Sequence, residues 1–78
     1  MDSPLTTAVA DLDEDTVFEI LRTELDAGTA PSALLDLARE GMTIVGERFE
    51  SGEYYLSDLI MSGELFKEIA QMVVGETA

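Results

Sequence analysis

Apolar residues recur every three or four positions along this chain, and no stretch of useful length alternates with period two. That spacing is the signature of helices with one buried face, and it excludes a sheet of ordinary strands. Leu5, Ala8, Val9 and Leu12 follow the i, i+3, i+4, i+7 pattern. Ser3 is placed to cap this short first helix and Pro4 to occupy its first turn. Val17, Ile20, Leu21 and Leu25, with Phe18 beside them, form the stripe of a second helix from about Glu14 to Ala27. Asp13 is its candidate cap, Glu14 and Asp15 complement the helix dipole, and Gly28 is the stop. Pro31 opens a third helix along which Leu34, Leu35, Ala38, Met42, Val45 and Phe49 repeat, ending near Ser51-Gly52. Asp36, Arg39, Glu40, Glu47, Arg48 and Glu50 mostly fill the positions between. After a short loop, Ser57 is expected to cap a fourth helix, with Asp58 in its first turn. Leu59, Ile60, Leu65, Phe66, Ile69, Ala70 and Val73 give that helix a wide apolar face. Gly75 is expected to end it, leaving Glu76-Thr77-Ala78 to fray. Tyr54-Tyr55-Leu56 has strand-like residues but is too short to stand as a sheet element. The expectation is one all-α domain spanning 1–78, a four-helix bundle.

Size and charge narrow the function. At 78 residues the chain is near the lower limit for a lone hydrophobic core, which leaves room for a partner or further domain to complete it. Four basic residues against 17 acidic ones give a net charge of −13, so phosphate backbones and anionic membrane surfaces would repel it. No nucleic-acid or membrane partner is expected. No apolar run approaches the roughly 20 residues of a membrane helix. Met1-Asp2-Ser3-Pro4 lacks the basic and apolar regions of a signal peptide, so a cytoplasmic location is expected.

With no Cys and no His, there is no disulfide, no thiol chemistry, no ordinary zinc site and no imidazole base. The run Asp11-Leu12-Asp13-Glu14-Asp15 invites a calcium loop. Counted from Asp11, however, the required glycine and acidic residue fall on Thr16 and Arg22. A capped helix start accounts for the acids better. A carrier-protein attachment serine needs Asp-Ser-Leu, whereas Leu56-Ser57-Asp58-Leu59 has Ser and Asp reversed. Carboxylate pairs are plentiful, but none is singled out by spacing.

Gly41, Gly46 and Gly63 fall inside expected helices, where each costs about 1 kcal/mol relative to alanine. The expected return is close helix–helix approach. The alternative is room for a flat ligand or another domain. The strongest feature is the crowd of bulky groups around one connection: Phe49, Tyr54, Tyr55, Leu56, Leu59 and Ile60. Helix interiors fill bundle cores, so these need a further explanation. Tyr55 or Ile60 is expected to enter the core, and the remainder to form an exposed apolar patch at one bundle end.

The run from Gly41 to Leu59, GMTIVGERFESGEYYLSDL, resembles the signature of the helical cap domain of corrinoid proteins, approximately G-M-x-x-V-G-E-x-F-x-x-G-x-x-F/Y-L-P-x-L. That domain occurs in cobalamin-dependent methionine synthase and in the corrinoid proteins of methanol, methylamine and O-demethylase systems. Leu12-Asp13-Glu14-Asp15 resembles the family's acidic opening of the second helix, and Gly28-Thr29-Ala30-Pro31 its turn before the third. The likeness covers most of the chain.

The resemblance implies a four-helix cap over the upper, methyl-bearing face of cobalamin (methylcobalamin), held by a Rossmann-like domain. It also implies a methyltransferase subunit as partner, and no catalysis by the cap itself. The family's contact positions map onto Phe49, Leu56 and Leu59, with Ile60 a weaker neighbour. Ser57 stands where the family usually has proline. The cobalt-ligating Asp-x-His-x-x-Gly motif is absent, so the chain alone is not expected to hold cobalamin from below. It reads either as a fragment or as a stand-alone cap meeting its cofactor domain in trans. A different class of function is a small acidic interaction module, a homodimer burying the same patch without any cofactor.

Overall fold

The structure, a computed structural model, describes residues 2–75. It contains four helices: α1 (Pro4–Ala10), α2 (Glu14–Asp26), α3 (Pro31–Glu50) and α4 (Leu56–Gly75). Among the described residues there is no strand. The expected fraying of residues 76–78 lies outside the described residues.

Local chemistry sets the helix bounds. The Ser3 hydroxyl accepts from the Thr6 N–H at 3.0 Å, and Pro4 follows in the first turn of α1. The Asp13 carboxylate accepts from the Thr16 N–H at 3.4 Å and from the Thr16 hydroxyl at 2.7 Å, opening α2. Pro31 opens α3, whose cap position, Ala30, has no side chain for the purpose.

Three helices end in the same way. After α2, Gly28 turns left-handed (φ 88), its N–H bonds the Leu25 carbonyl and the next N–H bonds that of Glu24. After α3, Gly52 (φ 86) repeats the motif with the carbonyls of Phe49 and Arg48. This double bond satisfies carbonyls that a helix end leaves open. After α1 the left-handed residue is Leu12, at φ 57. That backbone costs an L residue roughly 1–2 kcal/mol. The side chain packs against the core, which offsets the strain.

The start of α4 differs from expectation. The helix begins at Leu56, so Ser57 lies inside its first turn. Tyr55 occupies the cap position: its carbonyl accepts from the Asp58 and Leu59 N–H groups. Its own N–H donates to the Asp58 carboxylate at 2.9 Å. A carboxylate three residues into a helix can reach back to the cap N–H, and it accepts more strongly than a hydroxyl. Asp58 therefore fixes the boundary that Ser57 was expected to set.

α1 packs on both α2 and α3, α3 packs along α4, and α2 rests more lightly on α4. The core is built from Leu5, Val9, Val17, Leu21, Leu34, Ala38, Leu65, Ile69 and Val73. α1 and α3 approach closely at Gly41. A Cβ on Gly41 would stand 2.7 Å from Val9 Cβ and 2.9 Å from the Thr6 carbonyl. The buried Thr6 hydroxyl crosses the same junction, donating to the Leu37 carbonyl at 2.8 Å. Gly46 and Gly63 have open space where a Cβ would stand. Close approach thus explains Gly41 and not the other two. No helix among the described residues is long and apolar enough to cross a membrane.

Candidate functional site

The apolar stripe of α3 outruns the core. Val45 is fully buried, but Phe49, one turn later, is 39% exposed. The chain then passes through residues 51–55 and re-enters a helix at Leu56, so the last turn of α3 and the first turns of α4 stand at one end of the bundle. Leu56 and Ile60, four residues apart and hence on one face of α4, are 62% and 61% exposed. Leu59 is half-buried. The expectation that Tyr55 or Ile60 would enter the core is overturned, since Tyr55 is 75% exposed. The reason is geometric. Leu65, Ile69 and Val73, together with Ser62, occupy the inward face of α4. Ile60 does not fall on that stripe, and Tyr55 sits at the helix cap.

Burying a Leu, Ile or Phe side chain is favourable by about 1.5–3 kcal/mol. This small domain leaves most of Leu56 and Ile60 and over a third of Phe49 in solvent at one end, which makes that end a candidate binding surface. The surrounding polar groups are acidic: Glu47, Glu50 and Glu53 are exposed on or after the last turn of α3. Grooves beside α2, lined by Asp15, Phe18, Glu19 and Arg22 or by Leu25, Asp26 and Met72, contain none of Phe49, Leu56, Leu59 and Ile60. Among the described residues no three His, Cys, Asp or Glu side chains converge to hold a metal ion. The tip is an apolar surface edged by carboxylates.

Beneath the tip lies a polar cluster that periodicity does not reveal. Arg48 Nη1 is 2.9 Å from the Ala10 carbonyl, from Asp11 Oδ1 and from the Tyr54 hydroxyl. The Tyr54 hydroxyl donates to the Ala10 carbonyl at 2.6 Å. Arg48 Nε stands 3.6 Å from Glu53, and the guanidinium lies 5.5 Å from the centre of the Tyr54 ring. Hydrogen bonding to Asp11, and next to Tyr54, raises the Arg48 pKa above its ordinary value despite some desolvation, so the group stays charged. In the sequence Arg48 looks like one more solvated helix charge. The available hint was a cation in the last turn of a helix with a tyrosine six residues on.

No solved structure matches the chain at a significant level. Residues 3–73 match the B12 binding domain family, a span that includes all four helix starts, the Gly41–Leu59 run and the apolar tip. The four-helix architecture, with no strand among the described residues, agrees with that match. The chain therefore belongs to the B12 binding domain family, the helical cap domain of corrinoid proteins.

Proposed function

We propose that this cap covers the upper, methyl-bearing face of a cobalamin carried by a separate Rossmann-like domain, with Phe49, Leu56, Leu59 and Ile60 directed at it. The single observation that carries the reading is the exposure of Phe49, Leu56 and Ile60 together at one bundle end. Once held by its own domain, such a corrinoid supplies a transferable methyl group on cobalt. The chain's part is to cover and to exclude water. Aliphatic and phenyl side chains can lie against a methyl group without presenting a nitrogen, sulfur or carboxylate ligand to the metal. Water exclusion suppresses side reactions at such a centre.

Magnitudes favour a cover that can lift. Docking can bury only what is still exposed, 39% of Phe49, 62% of Leu56, 61% of Ile60 and less of Leu59, which contributes about 3–6 kcal/mol. Association costs about 4–15 kcal/mol in lost freedom. The gain does not exceed that cost, so docking through the tip alone is weak and reversible, as a cover that must yield to a methyltransferase requires. The net charge of −13 works against a second copy of the chain as the natural occupant.

The test is to titrate a methylcobalamin-loaded Rossmann-like domain with this chain while following corrin absorbance. The expected result is a saturable spectral change that a Phe49→Ala Leu56→Ala variant loses while keeping its helical content. No spectral change, or an unaltered one in the variant, overturns the reading. So does a tight homodimer in sedimentation that ignores the corrinoid-loaded domain.

A further inference from the structure

We infer that Arg48 and Tyr54 are positioning residues that strap the α3–α4 loop to the end of α1 and so fix the direction in which Leu56 and its neighbours project. The inference rests on the proposed covering role for its consequence, but its geometry stands on separate observations. The loop has little packing of its own, since Ser51, Gly52, Glu53 and Tyr55 are all exposed. Tyr54 is its half-buried member, and its hydroxyl is anchored to the Ala10 carbonyl, 44 positions earlier in the chain. Arg48 grips the same segment twice. Its carbonyl accepts from the N–H groups of Glu53 and Tyr54 at 2.9 and 3.0 Å, and its side chain reaches Tyr54, Glu53, Ala10 and Asp11.

The strap joins two weak elements. α1 has seven residues, too few to hold as a helix without tertiary support. Its terminal carbonyl, at the negative end of the helix dipole, is met by a guanidinium and a phenol hydroxyl. The loop gains a fixed anchor in return. If the loop were unanchored, the helix ends on either side of it, which carry Phe49 and Leu56, would have to be ordered during docking, which weakens binding. Arg48 also sits directly before Phe49, so the same contacts set the last turn of α3 from which that ring projects.

Amide hydrogen exchange on the free chain and titration of the methylcobalamin-loaded domain together test this. Arg48→Ala and Tyr54→Phe are expected to speed exchange at Glu53 and Tyr54 and to weaken docking about tenfold. Protection at Val45, Leu65 and Ile69 should be retained. Arg48→Lys keeps the charge but loses the fork, and is expected to recover only part of the affinity. Phe49→Ala should lose docking with no change in loop exchange. Faster exchange spread evenly through the core would make Arg48 and Tyr54 merely structural and overturn the inference. Unchanged loop exchange in Tyr54→Phe and Arg48→Ala also overturns it. If the unaltered chain does not dock, the covering role fails, and loop exchange in the two variants alone decides the strap.

Discussion

Replacing Gly41 by alanine sets two effects against each other. Alanine is favoured over glycine in a helix interior by about 1 kcal/mol. Against this, the new Cβ would stand 2.7 Å from both Cβ and Cγ1 of Val9 and 2.9 Å from the Thr6 carbonyl oxygen. Carbon atoms in contact prefer about 3.5–4.0 Å. Val9 Cβ is fixed to the α1 backbone, and the Thr6 oxygen belongs to it, so relief requires α1 to move as a body. The Thr6–Leu37 bond and the Arg48 contacts at Ala10 resist that movement. Overpacking of this kind costs about 1–3 kcal/mol, and the immobile neighbours place it toward the upper end. The net expectation is a loss of about 1–2 kcal/mol. For a domain of this size 1 kcal/mol shifts the melting temperature by about 4–8 °C.

The same substitution at Gly46 or Gly63 meets no atom within 4 Å and should stabilise by about 0.5–1 kcal/mol. Urea titration followed by far-ultraviolet circular dichroism measures all three, provided the slope with urea is unchanged. Adding Val9→Ala should not rescue Gly41→Ala, because it removes Cγ1 but leaves Val9 Cβ and the Thr6 oxygen in place. Gly41→Ala proteins as stable as wild type, or destabilised Gly46→Ala and Gly63→Ala proteins, would refute the reasoning.

Gly52→Ala forces a side chain into a backbone at φ 86 and should cost about 1–2 kcal/mol, read as a lower melting temperature. Thr6→Val removes the buried hydroxyl that bonds Leu37 and receives the Ser3 hydroxyl. It should cost about 1–2 kcal/mol in urea denaturation, whereas the Ser32→Ala change at an exposed first-turn position of α3 should be near neutral. Asp11→Asn weakens an Arg48 pair whose side chains are 28% and 52% exposed. It should cost no more than about 0.5–1 kcal/mol, and less in high salt, when stability is compared across salt concentrations. The folded pKa of Arg48 lies above its ordinary value, so the contribution of its charge is complete below the ordinary arginine range and is lost only as pH rises through the higher folded value. Stability measured across neutral pH should therefore show no step from this group.

Much of the architecture was legible because its causes are local. A stripe every three or four residues, a serine before a proline, an aspartate before acidic residues and a glycine after the last apolar position act within one or two helical turns. The starts at Pro4, Glu14 and Pro31 and the left-handed stops at Gly28 and Gly52 accordingly stand where expected. The family was legible for a similar reason: the Gly41–Leu59 run is contiguous. Ser57 shows the limit even of local reasoning: the Asp58 carboxylate takes the Tyr55 N–H, and α4 starts at Leu56, one residue before Ser57.

What the sequence alone determined, then, is four helices, their approximate ends and membership of the cap family. Only tertiary structure decided that Gly41 marks a close crossing while Gly46 and Gly63 face open space, that Tyr55 and Ile60 stay outside the core, and that Arg48 and Tyr54 meet Ala10. Each of these depends on how one helix is rotated against another, or on contacts between residues some 40 positions apart. Periodicity along the chain says which residues share a face; it does not say which neighbour that face will meet.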